Sequence, residues 1–428
     1  MRYHAASIPK ALRLPGAPNM EILQQSLKEA LSDLPTRIVA QLIAKKLDAA
    51  GVSLSVRERR RLEVCVRAGR LESVQLRPWK FWNRNRVVVE ITPNDFEEVE
   101  RQLAHIGEKW LPEFIEAVTD KSTANILAVL KRQWRTESSQ QRKESAAFQR
   151  RLQRRWGAGL ELLKLLLTVC SESGARANEK LRDPGNEHRR HLVDVLTRLH
   201  ARACQITDEI ALLLTGGFAD GGMARWRTLH EVAVIAQFIA SHGEQLAERY
   251  VLHQFVESRR AAADYEKCRE RLGYPPLDES ELKRLEASHQ GAITRFGRDF
   301  SGQYGWAAHH LRVAKPTFAD IESAVGVDHL RAHYRMASHN VHANPKGVFC
   351  RLGLLKERNI LLAGASNAGL ADPAHSAAVS LVQVSYPLLS LRPTIDNIVA
   401  LKLILRLADE IGENFRTAQA QLENDAKP

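Results

Sequence analysis

Residues 334–345 read YRMASHNVHANP, which sets one arginine and two histidines close together in the chain. A helix turns about 100° per residue, so positions seven apart point almost the same way. Arg335 and His342 are seven apart, with His339 between them, and one helical face can carry all three. Ser338 and Asn340 lie to either side. Asn344 and Pro345 are expected to end the helix, because the residue before a proline avoids the α region. His342 is then expected in the last turn, where the negative end of the helix dipole favours a held proton. Such a set can cleave RNA without a metal. Histidine serves as general base on the 2′-hydroxyl or as general acid on the leaving oxygen. Arginine holds the phosphate and offsets the charge that develops on it. Only RNA supplies the 2′-hydroxyl. The same three residues can equally form a hydrogen-bonded network inside a helical bundle. HNVH lacks the glutamate of a zinc-binding HExxH and no acidic pair stands near it, so no metal and no cofactor is expected.

A second polar group sits in ARWRTLHEVAV, which carries Arg225, Arg227, His230 and Glu231. Arg227 and Glu231 are four apart and can pair along one face. The apolar run VAVIAQFIA places this helix deep in a core, where charged groups are costly without partners. Two readings stay open: an ion pair joining helices, or a set facing Arg335 and His342 across the bundle. Tyr250, in AERYVLHQ, can join either. TGGFADGG lacks GK[ST] and follows a helix, which makes it an interhelical turn rather than a phosphate loop. GASNAGLADP lacks the full GxSxG of a nucleophile elbow.

The elements that must carry these residues are nearly all helical, and the fold class expected is all-α. Residues 1–20 read as a flexible tail and 21–130 as a small, basic, mostly helical N-terminal domain. Residues 131–156 form a basic helical linker, and 157–428 a C-terminal multi-helix bundle. In the first domain EILQQSLKEAL and RIVAQLIAKKLDAAG have helical apolar spacing, with Gly51 stopping the second. SVRERRRLEVCVRAGR starts on Ser55 as a helix cap, and RVVVEIT is the best strand candidate in the chain. FSGQYGWAAHH reads as an irregular aromatic loop.

The net charge of +12 favours polyanionic partners, nucleic acid first. Three places concentrate it. Arg59, Arg60 and Arg61 lie on the helix after Ser55. RPWKFWNRNR interleaves Trp79, Lys80, Trp82, Arg84 and Arg86, a composition suited to stacking plus phosphate contact. The linker holds nine basic and two acidic residues, including Arg150, Arg151, Arg154 and Arg155. Each stretch can also be a solvated helix face or a loop anchored by its aromatics. The five cysteines are scattered, with no CxxC pair, which fits a reducing compartment. No apolar stretch approaches the roughly 20 residues that span a bilayer, and the first 20 residues hold no continuous apolar signal segment. A cytoplasmic protein without a membrane partner is expected.

Residues from about 156 to 422 resemble a bacterial family catalogued as domain of unknown function fifty-six seventy-seven. The resemblance is carried by LHARACQITDEIALLLTGGFADGGMARWRTLHE, AERY, YGWA, YRMASHNVHA and GASNAGL. It implies no activity. RMASHNVH also resembles, more distantly, the signature of the HEPN superfamily, an arginine followed after four to six residues by a histidine. That resemblance implies a helical bundle, a metal-independent endoribonuclease of toxin or anti-phage systems, and a homodimer. Arg335 and His342 would be its working pair, with His339 assisting. A non-catalytic helical module that binds nucleic acid or protein is the alternative expectation.

Overall fold

A computed structural model describes residues 2–4, 20–69, 87–182, 184–342, 344–355 and 360–425. The protein is all-α, a C-terminal multi-helix bundle with a smaller, mostly helical N-terminal part. The chain divides into two compact units, residues 8–141 and residues 1–7 with 142–428.

The first unit contains helices α1 (Met20–Ala49), α2 (Val56–Arg67) and α3 (Pro93–His105). The two helices expected between residues 21 and 51 are one helix, running through Pro35. Gly51, at φ +80°, follows its end in a conformation that glycine adopts without strain. Ser55 caps α2 as expected: its Oγ accepts from the Glu58 N–H, and the Glu58 carboxylate accepts from the Ser55 N–H at 2.8 Å. Ala40, Ile43, Ala44 and Leu47 of α1 bury against Leu54 and Leu62. The strand expected at Val87–Thr92 does not form. Val89 and Ile91 instead pack half-buried on that small core, because no partner strand stands beside them among the described residues. Lys46 of α1 meets Asp95 of α3 and donates to the Glu90 carbonyl at 2.8 Å.

The division between the units falls within α4 (Leu111–Leu181), the helix that also contains the basic linker. In the second unit the core joins the later half of α4 to α5 (Arg190–Thr215), α6 (Ala219–His242), α14 (Ala371–Ser390) and α15 (Ile395–Asp425). Trp156, Leu163, Ile206, Trp226, Phe238 and Phe415 are fully or almost fully buried in it. Of TGGFADGG, only residues 216–218 form the short turn between α5 and α6, with Gly217 at φ +82°, while ADGG opens α6. The single helix expected over residues 244–273 is two, α7 (Glu244–Leu252) and α8 (Gln254–Leu272), parted at His253. Next come α9 (Glu279–Phe296), α10 (Gly305–Leu311), α11 (Phe318–Ala324), α12 (Arg331–Val341) and α13 (Pro345–Phe349). The aromatic stretch read as a loop is therefore a 3-10 turn at Arg298–Ser301 followed by α10, with Phe300 and Trp306 in the core. Burial of those rings supplies the order that their local sequence does not announce. Within the span read as a tail, β1 (Arg2–His4) pairs in parallel with β2 (Ile360–Leu362). No described helix is long and apolar enough to cross a membrane.

Candidate functional site

Two polar layers meet where α12 lies against α6, and α12's rotation about its own axis separates them. Tyr334 and Ala337, three apart, are the buried residues of α12. Arg335 is one position on from Tyr334 and so points about 100° away, into solvent.

The inner layer is a hydrogen-bonded network. His230 of α6 is buried and donates from Nε2 to Oε1 of Glu322 on α11 at 2.9 Å. Glu322, also fully buried, takes the Arg331 guanidinium on its other oxygen. One turn away along α6, Nη2 of Arg227 donates to the Tyr334 hydroxyl at 2.7 Å. That hydroxyl donates to Oε1 of Glu231 at 2.6 Å, while Arg227 and Glu231 approach to 3.2 Å. The Tyr334 ring has both guanidinium groups near its faces, Arg227 at 4.9 Å and Arg331 at 5.2 Å. Two cationic and two anionic side chains thus offset one another. Burial lowers the His230 pKa, against the pull of Glu322 and Glu231. Burial and Glu231 raise that of Tyr334 well above the usual phenol range. Both groups are held neutral, and the layer ties α6, α11 and α12 together, with Nδ1 of His230 and Nε of Arg227 buried and without a hydrogen-bond partner among the described residues.

This placement answers the question the sequence left open about Arg227 and Glu231. They face Tyr334, the neighbour of Arg335, rather than Arg335 and His342. Tyr250 does not join them. Its ring meets Trp306 edge to face at 5.0 Å, on the wall of a separate cleft of about 600 Å³. Tyr304 lies near them, its pKa raised by burial first and then by the charge of Glu231, and its ring meets Phe318 at 6.4 Å. Tyr334, Glu322 and Arg331 are the residues that reading of the sequence misses. Arg331 and Tyr334, spaced by three just before the Arg/His set, were the available signal; Glu322 carried none, since it sits in an ordinary amphipathic turn.

The outer layer holds Arg335, His339 and His342. The helix stops at Val341, short of the end expected at Asn344, and His342 is its C-cap with extended backbone (φ −104°, ψ 143°). His342 therefore does not continue the helical face of Arg335 and His339, as the seven-residue spacing led one to expect. The cause lies in the next turn: Asn344 caps α13 by accepting from the Gly347 N–H at 2.9 Å. The Asn344 side-chain amide also donates to Nδ1 of His339 at 2.8 Å, which leaves the His339 proton on Nε2. Arg335 and His342 are exposed, and their side chains have no hydrogen bond or ion pair among the described residues. Asn340 and His339 are half-buried. Among the described residues no group of three or more His, Cys, Asp or Glu is placed to hold a metal ion.

Of the basic stretches, Arg59, Arg60 and Arg61 are exposed on α2, Arg59 lying 3.7 Å from Asp48. Arg150, Arg151 and Arg154 are exposed on α4, whereas Arg155 is paired with Asp425 at 2.6 Å. Trp79, Lys80, Trp82, Arg84 and Arg86 lie outside the described residues.

Residues 193–358 match the family of unknown function DUF5677. The matched segment runs from α5 through α13 and so contains both polar layers entire. It is shorter than the span of 156–422 over which the resemblance was expected, and GASNAGL, at 364–370, falls beyond it. No curated protein and no solved structure matches the chain.

Proposed function

We propose that the protein is a metal-independent endoribonuclease whose working groups are Arg335 and His342 at the end of α12. One observation carries the reading. In a neighbourhood where Arg227 pairs with Glu231 and Arg331 with Glu322, Arg335 and His342 are exposed and unpaired among the described residues. His342 removes the proton of a 2′-hydroxyl, whose oxygen attacks the adjacent phosphorus as the P–O5′ bond breaks. The products are a 2′,3′-cyclic phosphate and a 5′-hydroxyl. The imidazolium so formed on His342 passes that proton to the leaving O5′, and His339, whose Nε2–H is set by Asn344, assists by donating a hydrogen bond to the phosphate. Arg335 holds the phosphate and offsets its growing charge. The HEPN resemblance supports this assignment, a cytoplasmic setting in a toxin or anti-phage system, and action as a homodimer.

A second reading, nucleic-acid binding without cleavage, is favoured by the exposed Arg150, Arg151 and Arg154 on α4. Incubating the full chain with total cellular RNA in EDTA separates the two. Cleavage that survives the chelator and disappears in His342→Ala and in Arg335→Ala, both with unchanged melting temperature, is the expected result. RNA that is retarded on a gel yet left intact by the wild type overturns the nuclease in favour of the binding module.

A further inference from the structure

From Arg331 to Arg351 the chain carries four arginine or lysine residues, three histidines and no aspartate or glutamate. Arg331 is spent on Glu322, but Arg335, Lys346 and Arg351 are exposed. Apolar groups are exposed among them: Met336 and Val341 on α12, Val348 on α13, and Phe349, whose exposure of 80% is close to that of a free side chain. A lone exposed apolar residue needs no explanation. An exposed benzyl ring within an acid-free basic segment does, because the two demand a partner that is both polyanionic and flat-faced.

The ring also stands on a defined seat. Asn344 links His339 to Gly347 by accepting from one and donating to the other. Gly347 packs so closely on the end of α12 that a Cβ there would collide with the His339 carbonyl. Phe349, two residues on, is thus held beside the helix end that carries His339 and His342.

We infer that this α12–α13 corner is a platform for single-stranded RNA, on which one base stacks against Phe349 while Arg335, Lys346 and Arg351 meet the flanking phosphates. The inference rests on the reading of this helix end as an RNA-handling site, and it adds the strandedness of the substrate and the residue that reads it. A duplex hides its base faces, so only an unpaired strand can use the ring.

The test is fluorescence anisotropy with a short fluorescein-labelled oligoribonucleotide, alone and annealed to its complement. It is performed in the His342→Ala background so that no strand is cut. Phe349→Leu is expected to weaken binding of the single strand about tenfold and to leave the duplex unchanged, while Phe349→Trp retains wild-type affinity. Lys346→Ala and Arg351→Ala each lower the slope of affinity against salt by roughly one. Because Phe349 makes little packing contact, Phe349→Leu keeps the melting temperature, which circular dichroism verifies. Equal single-strand affinity for Phe349→Leu and wild type overturns the inference, as does an equal loss on duplex, or no RNA binding at all. The last result leaves a protein partner to cover the ring. If the wild type never cuts RNA yet binding depends on Phe349, the nuclease fails and the platform stands. If it cuts RNA with Phe349-independent binding, the platform fails and the nuclease stands.

Discussion

The Tyr334 hydroxyl donates a 2.6 Å hydrogen bond to Glu231, joining α12 to α6 through a residue that also receives Arg227. This one phenol decides which way α12 faces, because it buries the position next to Arg335 and so sends Arg335 outward.

Tyr334→Phe removes the shared hydroxyl while keeping the ring beside its two guanidinium groups. Arg227 and Glu231 still have each other at 3.2 Å, so the expected loss is about 1–3 kcal/mol. Glu322→Ala strips Arg331 and the buried His230 of their common carboxylate, and about 3–5 kcal/mol is expected. Urea denaturation of both variants measures this order. A Tyr334→Phe protein less stable than Glu322→Ala contradicts it.

Acid destabilisation should begin well above the carboxylate range. His200 is buried in α5, donates from Nε2 to Ser385 Oγ at 3.1 Å, and burial brings its pKa down to about 4. The Ser385 hydroxyl proton is already given to the Leu381 carbonyl, so that Oγ can only accept from His200. His310 also falls to about 4, through burial and then the neighbouring His242, His309 and Arg249. In the unfolded chain each titrates near 6.5. The unfolded state therefore binds protons that the folded state refuses. Stability is fully present above pH 6.5 and falls as pH drops from there towards 4. For His200 the loss is about 3 kcal/mol across that window. Asp95, whose pKa is lowered to about 2 by Lys46 and then Thr92, adds a loss only below its unfolded value of 3.8. Unfolding free energies at pH 7, 5.5 and 4.5 check this, and His200→Asn should flatten the profile. A wild-type profile level from pH 7 to 4.5 rules the account out.

Two helical glycines should respond oppositely to alanine. A Cβ on Gly174 of α4 would strike the His200 ring, which Ser385 and its surroundings hold in place. Gly174→Ala is expected to cost about 1–3 kcal/mol despite alanine's better helix propensity. Gly291 of α9 is exposed, with nothing near its missing Cβ. Gly291→Ala should stabilise by about 0.4–1 kcal/mol. Melting temperatures moving in the same direction for both variants refute this.

Much of the helical architecture was legible because apolar spacing and caps are local signals. Gly51, the Ser55 cap and the glycine turn before α6 stand where the chain order indicates. The break at His253 and helix α10 were not legible. His253 is held by the Gly302 carbonyl at 2.9 Å, and Trp306 is ordered by burial against Phe238 and Tyr250, partners far away in the chain. The strand expected at Val87–Thr92 shows the converse error, since β-branched residues make a strand only where another strand can pair with them.

By itself, the order of residues determined that the protein is all-helical and strongly basic, and that Arg335, His339 and His342 lie near one another along the chain. It also determined that Arg227 and Glu231 can pair, since residues four apart on one helix meet whatever the rest of the chain does. Tertiary structure decided the remainder. It chose Tyr334 over Arg335 as the inward residue of α12, supplied Glu322 from another helix, and turned His342 out of the helix through Asn344 and Gly347. The physical reason is that a helix has one period but no preferred rotation about its axis; only the packing of Tyr334 and Ala337 against α6 selects which side meets water.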